Sequence, residues 1–314
     1  MNKFKSKYPL LASPMNKVSD LNFALHCFAA GIIPSISAFN YYNLNYKNGI
    51  NFKKFEEELS YYKKFTKSGP LFLSIEIEIF MKDEFLSIIN LLTFNCLEII
   101  DKNEYFKNPL ERKNKFLNFK NRLNVCKNNG VFTFLKVLDP RGWLDRSEIF
   151  RSCFDGCVFK SPEASGSISL SKNRKSIYEE FLEIQKNDFN KIIIPSGGIS
   201  THKQVSKLLD LGAEIISIGS YFSVAEESCL SKETKLKIID SNKSNLSTFN
   251  NTHNALIFSK IEETDYNHTE SLKLGIKNPN LGHVFMGSSI DNIKEILPIK
   301  DLVSKLLDIK IYDL

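Results

Sequence analysis

The chain lacks most of the signals that assign a protein to a specialised class. It has five histidines in 314 residues, and none falls in an H-x-H or H-E-x-x-H spacing, which argues against the common zinc sites. Six cysteines are scattered through mostly apolar runs. Cys153 and Cys157 do not have zinc-ribbon spacing, and a chain of this length needs no disulfide framework. No segment approaches the ~20 apolar residues that span a bilayer. The stretch Met1 to Tyr8 is basic but lacks the apolar core of a signal peptide. Lys and Arg outnumber Asp and Glu 42 to 36, yet the lysines are interleaved with Asn and Ile, so no nucleic-acid footprint forms. There is no P-loop, no clustered carboxylate pattern, no Ser-His-Asp arrangement and no low-complexity tract. What remains is a cytoplasmic protein acting on a small molecule, without a nucleic-acid, membrane or metal partner. Its oligomeric state is left open, a homodimer being one option.

With 42% hydrophobic residues the chain can bury a substantial core. Short apolar runs alternate with longer amphipathic stretches. Strands are expected at Pro9–Ala12, Ile32–Ile36, Leu71–Ile75, Leu97–Ile100, Phe132–Leu138, Gly156–Phe159, Lys191–Ile194 and Ile215–Ile218. Helices are expected near Ser19–Ala30, Phe52–Phe65, Lys82–Leu91, Leu110–Asn128, Leu144–Ser152, Asn173–Asn187 and Thr201–Leu211. About eight right-handed βα units point to a (β/α)8 TIM barrel rather than an open sheet. Two stretches break the rhythm. Ala38–Ile50, rich in Asn and Tyr, is long for a βα loop and lies on the face where binding loops sit. After strand 8, Glu226 to Pro279 is polar and weakly periodic. It reads as a small helical insertion, so residues 1–225 and 281–314 make the barrel and 226–280 an appended helical lobe. Ile290–Leu307 reads as the closing helix.

The most informative segment is Ile192-Ile193-Ile194-Pro195-Ser196-Gly197-Gly198-Ile199, followed by Ala213 to Ser220. Two buried strands each run into glycine where a helix should begin, separated by a helix that Gly212 closes. Glycines there let backbone N–H groups approach an anion, and the last two loops of a barrel commonly hold phosphate. A plain pair of strand-to-helix turns is the bland alternative; the tandem arrangement favours phosphate. Lys136 is the second signal, a lone charge within Phe134-Leu135-Lys136-Val137-Leu138. Burying it is costly without a partner, unless its stem lies along the barrel–helix interface and its head reaches water.

Four segments together resemble the nitronate monooxygenase (2-nitropropane dioxygenase-like) family of FMN-dependent barrels, in the right order from Pro9 to Leu307. Leu11-Ala12-Ser13-Pro14-Met15 is similar to that family's opening Ala-Pro-Met strand. Ser161-Pro162-Glu163-Ala164-Ser165-Gly166-Ser167 looks like its G-x-E-A-G-G-H loop. Ile194 to Ile199, with Gly219-Ser220-Tyr221-Phe222 and Glu226-Glu227-Ser228, follows its S-G-G-I and G-T-R-F patterns, and is the specific match. Gly282 to Ser288 resembles its late M-A-G-Q segment. The flavin-dependent enoyl-acyl carrier protein reductases share this plan, so the resemblance implies the cofactor more firmly than the reaction.

The resemblance implies an FMN phosphate at Gly197, Gly198, Gly219 and Ser220, with Ser196 and Ser165 among the cofactor contacts. It places Ala12, Pro14 and Met15 along the flavin ring and Ser74 where the family often has Asn. Lys136 would stabilise negative charge on the reduced ring. Glu163 keeps its motif place as a catalytic or loop-orienting group. The departure is Ser167, which stands where the family's loop carries its catalytic histidine. An unassisted hydroxyl cannot exchange protons near neutrality as imidazole does, so abstraction of a proton from carbon should be impaired. His283, in the late segment, and His202, after the glycine pair, are the candidate substitutes; His26, His253 and His268 have no motif context. Three functions follow. The first is an FMN-dependent monooxygenase that oxidises a nitronate-like or other anionic substrate with oxygen, which Lys136 and Lys160 would favour. The second is an NAD(P)H-dependent flavin reductase of the enoyl-acyl carrier protein reductase type. The third is a barrel that binds FMN without turnover.

Overall fold

The computed structural model describes residues 3–41, 49–91, 95–101, 113–169, 171, 173–249, 253–257, 268–278, 280 and 282–311. Most of the Asn- and Tyr-rich loop, residues 42–48, lies outside them. Eight strands form one sheet: β1 (Leu10–Ala12), β2 (Ser35–Ser37), β3 (Phe72–Glu76), β4 (Cys96–Ile100), β5 (Phe132–Val137), β6 (Gly156–Lys160), β8 (Ile192–Ser196) and β9 (Ile216–Ile218). Every ladder in it is parallel. The ends meet where Leu11 bridges Ile33: Ile33 N–H donates to Leu10 O at 2.8 Å and Ala12 N–H to Ile33 O at 3.0 Å. The sheet is therefore closed, and the expected barrel is what forms.

Alternation along each strand sorts the side chains into two cores. Leu11, Ile33, Phe72, Cys96, Phe134, Val158, Ile194 and Ile215 form the barrel interior, joined by Phe4, which packs on Phe132 at the strands' N-terminal end. Their neighbours, among them Leu10, Ala12, Leu73, Leu97, Leu135, Cys157 and Ile193, belong to the larger cluster shared with the helices. Two residues beyond each of these eight barrel residues the chain carries a polar group: Ser13, Ser35, Ser74, Glu98, Lys136, Lys160, Ser196 and Ser217. The strand period of two thus stacks a polar storey on an apolar one, and opens it toward the strands' C-terminal ends.

The helices are set by their caps. Asp20, Asn51 and Ser176 accept backbone N–H groups at the starts of α1 (Leu21–Ala29), α2 (Phe52–Thr66) and α8 (Ile177–Asn187). Thr201 and Gln204 make a capping box on α9 (His202–Asp210), which Gly212 follows at φ +98°. α3 (Ile77–Phe80), α4 (Glu84–Leu91) and α5 (Lys113–Asn128) cover the next strands. The expected helix at Leu144–Ser152 is instead two single turns, α6 (Arg141–Leu144) and α7 (Glu148–Arg151), because Ser147 caps the second and interrupts the first. The closing helix is also shorter than expected. α13 (Ile299–Leu307) begins after Pro298, whose ring disfavours helical backbone at Leu297.

The appended segment is not purely helical. Between α11 (Lys232–Ile239) and α12 (His268–Lys277) lie β10 (Leu246–Phe249) and β11 (His253–Ile257), an antiparallel pair. The other edge of β11 pairs with β12 (His283–Val284) and with β7 (Gly166–Ser167). Among the described residues β10 pairs only with its neighbour β11, whose other edge takes its hydrogen bonds from the distant β12 and β7, so the local pattern does not reveal this sheet. The pairing with β7 ties the appended segment to the serine-containing loop after β6. Among the described residues no helix is long and apolar enough to cross a membrane.

Phe134 lies under Glu98 and Lys136 and stacks on Phe72 at 5.9 Å between centroids. Phe134→Ala is expected to cost about 4 kcal/mol in urea-induced unfolding. A loss below about 1 kcal/mol would mean that the interior storey does not support the polar one.

Candidate active site

A cavity of about 960 Å³ opens over the C-terminal ends of the barrel strands. Its floor is the polar storey. Glu98 is fully buried, and its Oε1 accepts Ser74 Oγ at 2.6 Å and Lys136 Nζ at 3.1 Å. Glu98 Oε2 is buried with no hydrogen-bond partner among the described residues. Lys136 therefore points into the cavity, not along the helix interface, and the neighbouring strand supplies its countercharge. Such a pair loses hydration on both sides and holds only while both members are present.

Lys160 lies beside them at the end of β6. Its Nζ donates to Ser167 O at 2.7 Å and to Ser165 O. Burial, then the neighbouring Lys136 charge, lowers its pKa to about 7, against the opposing pull of Glu98. Lys17, whose Nζ donates to Asn40 O at 2.7 Å, is lowered to about 8 by burial and then by Lys273 and Lys54. At the rim, burial pushes Asp139 up. Hydrogen bonds from Ser169, Gly142 N–H and Ser171, with the Arg174 charge, outweigh it and hold the carboxyl below its ordinary value. Asp101 and Arg146 form a second ion pair at 3.1 Å.

Opposite the lysines stand the two glycine turns. Gly197 and Gly198 adopt φ of +103° and +73°, which L side chains rarely reach. A Cβ on Gly197 would collide with Ala164, and one on Gly198 with the Glu163 side chain. Their carbonyls are held, Gly197 O by Ser161 Oγ at 3.0 Å and Gly198 O by Gln204 Nε2 at 2.9 Å. No backbone acceptor takes the N–H of Gly197, Gly198, Gly219 or Ser220 among the described residues. Gly219 precedes the single turn α10 (Ser220–Ser223). The late segment locks this arrangement: Gly287 N–H donates to Ser220 Oγ at 3.1 Å and Ser288 N–H to Glu163 O at 3.0 Å. A Cβ on Gly287 would strike the Glu163 carbonyl, so glycine there lets two loops converge.

The cavity brings together Pro14, Met15, Ser74, Lys136, Ser165, Ser167, Ser196, Gly197, Gly198, Gly219 and Ser220. Two expected site residues fall outside it. Ala12 occupies an outward position of β1 and packs with the helices, so Ser13 takes the inward place. Glu163 is exposed outside the lining, and its main-chain carbonyl, not its carboxylate, makes the contact with Ser288. The histidine substitutes also lie elsewhere. His283 is buried with Nδ1 2.7 Å from Ser271 Oγ, and the His202 ring contacts Leu306 O at 3.2 Å on the outer layer. Glu98 was missed by sequence reasoning, although it bears the same mark as Lys136, one charge inside an apolar strand.

No family model matches this chain, and no curated protein matches its sequence. Solved structures do match. FabK from Thermotoga maritima is 17% identical, with 98% of this chain and 94% of that chain covered and a TM-score of 0.75. A nitroalkane oxidase from Streptomyces ansochromogenes is 13% identical over 98% and 96% of the two chains, with a TM-score of 0.71. The enoyl reductase domain of MlnA, from the macrolactin biosynthesis cluster of Bacillus amyloliquefaciens, is 15% identical over 87% and 72%, at 0.57. At these identities the likeness is one of fold.

Lys136→Met is expected to destabilise the protein by about 3 kcal/mol in urea unfolding, since it strands Glu98. Glu98→Gln added to it should restore most of that loss. Two independent, additive effects would show that the pair is not coupled.

Proposed function

We propose that the cavity binds FMN and that the chain is an FMN-dependent oxidoreductase of the nitronate monooxygenase-like kind, acting on a small anionic organic substrate. The observation that carries this reading is Gly219. It has φ −107°, outside the left-handed region, and a Cβ there would meet only ordinary contacts, Ser13 at 3.5 Å and Met15 at 3.9 Å. The fold's own packing does not require a glycine at that point, and the missing side chain leaves the backbone open to close approach by a ligand, which supports the reading. The free N–H groups of Gly197, Gly198, Gly219 and Ser220 border the same space and suit a phosphate dianion.

The other residues fit a flavin in the same sense. Pro14 and Met15 offer apolar surface for the ring. The Lys136 ammonium suits the electron-rich N1–O2 edge, while Glu98 Oε2 and the Ser74 hydroxyl provide acceptors for ring N–H. Bound FMN would supply an N5 position that accepts or returns a hydride or electrons. The protein's share is to hold the ring edge with a paired lysine, to restrict water with the appended segment and to attract the substrate's charge with Lys17 and Lys160. A nitronate needs no base, so Ser167 does not prevent its oxidation. The likeness in fold to a nitroalkane oxidase supports this direction.

A second reading has its own support. Leu230, Leu272 and Ile276 give one wall of the cavity an apolar surface suited to an acyl chain. With the likeness in fold to the MlnA enoyl reductase domain, this favours NAD(P)H-dependent reduction of an activated alkene. Rapid bleaching of the flavin on anaerobic mixing with NADH or NADPH would select it. A flavin that neither bleaches nor turns over nitronate would leave binding alone.

The purified protein is expected to be yellow. Gly198→Asp should weaken FMN binding on the order of 100-fold, about 3 kcal/mol, through like charge against the phosphate and through a side chain at φ +73°. Absorbance after gel filtration reads both. A colourless protein that free FMN cannot reconstitute would sink the proposal.

A further inference from the structure

We propose that the Lys160 amine is the proton-transfer group of this cavity, doing at the end of β6 the acid–base work that the Ser167 hydroxyl cannot do. The inference rests on the oxidoreductase reading and extends its substrate class from the nitronate to the neutral carbon acid, activated by a nitro or carbonyl group, from which such an anion forms.

The geometry of Nζ carries it. Two of its positions are occupied by the carbonyls of Ser165 and Ser167, and no third partner exists among the described residues. A neutral amine that donates twice has one lone pair left; an ammonium so held has one proton left. The remaining position is therefore a single proton site, and Lys160 lines the cavity.

The surrounding charges support the role. Lys136, on β5, repels the ammonium form, and Glu98, on β4, already engages Lys136. With burial, these leave Lys160 titrating near neutrality, where a group is most effective as both acid and base. Lys136 is committed to its ion pair, and His26, His202 and His283 lie outside the cavity lining. In the forward step the Nζ lone pair takes a proton from the activated carbon. One C–H bond breaks and one N–H bond forms. The electron pair stays on the substrate as a nitronate or enolate, whose charge faces two ammonium groups. No oxidation occurs, and the reverse step returns the proton to carbon.

Deprotonation can be read without turnover. Wild-type protein, incubated anaerobically with nitroethane or 1-nitropropane in D2O, should accelerate loss of the α-proton signal in NMR. The rate should rise as pH increases through about 7, as the amine loses its proton. Lys160→Arg keeps a cation and donors for both carbonyls but has no accessible neutral form. It should lower exchange about 100-fold or more while retaining flavin, and Lys160→Met should do the same. Retained exchange in Lys160→Arg, a pH-independent wild-type rate, or no wild-type exchange with either nitroalkane would overturn the proposal. So would loss of exchange in Glu98→Gln with Lys160→Arg still active. Visible absorbance of the same samples separates the two readings. A yellow wild type without exchange removes this role and leaves FMN standing; a colourless protein that exchanges does the reverse.

Discussion

Everything in this molecule's candidate chemistry depends on closure of the parallel sheet. Once Leu10 and Ala12 exchange hydrogen bonds with Ile33, each strand has one face toward the lumen and one toward the helices. Side chains then have no choice of environment. The lumen's lower storey is filled with Phe, Ile, Leu and Val, which excludes water below. The residues two positions farther along, Ser74, Glu98, Lys136 and Lys160 among them, meet at one level. Charges on three different strands become neighbours because the barrel's stagger brings them there, not because they are near in sequence.

That level is polar enough to need partners and closed enough to perturb its charges. Glu98 and Lys136 settle the problem by pairing. Lys160 does not pair with an acid; it is held by two main-chain carbonyls, which orient an amine without fixing its proton. The same enclosure that makes a lysine expensive makes it responsive near neutral pH. A loop that offers a serine hydroxyl and no imidazole therefore need not lie far from acid–base chemistry.

Convergence of the loops is a separate achievement. Gly287 lets the late segment pass between the Glu163 carbonyl and the Ser220 hydroxyl, bonding each side through consecutive N–H groups. Pairing of β7 with β11 adds a second tie, from the serine loop to the appended segment. The glycine turns after β8 and β9 and the loop after β6 are thus braced against one another across the cavity mouth. Such bracing is what a preorganised anion cradle requires, since its donors must stay in place when no anion is present.

Much of this was legible in the residues. The alternation of apolar runs and amphipathic stretches located all eight barrel strands, because parallel strands covered on both faces are predominantly apolar. The glycine pairs marked the turns, because only glycine enters the positive φ of Gly197 and Gly198 without strain. Lys136 stood out as one charge in a buried strand, and Glu98 bore the same mark. What the linear pattern did not contain was which way each residue faces and what lies opposite it. Ala12 belongs to the motif but points to the helices; Glu163 belongs to it and contributes its carbonyl; β11 is held in place by β7 and β12, partners far away in the chain. Local physics settles where strands and turns form, since those depend on a few adjacent residues. The ion pair of Glu98 with Lys136, and the two carbonyls around Lys160, arise only when distant strands and loops are brought into register by the closed sheet.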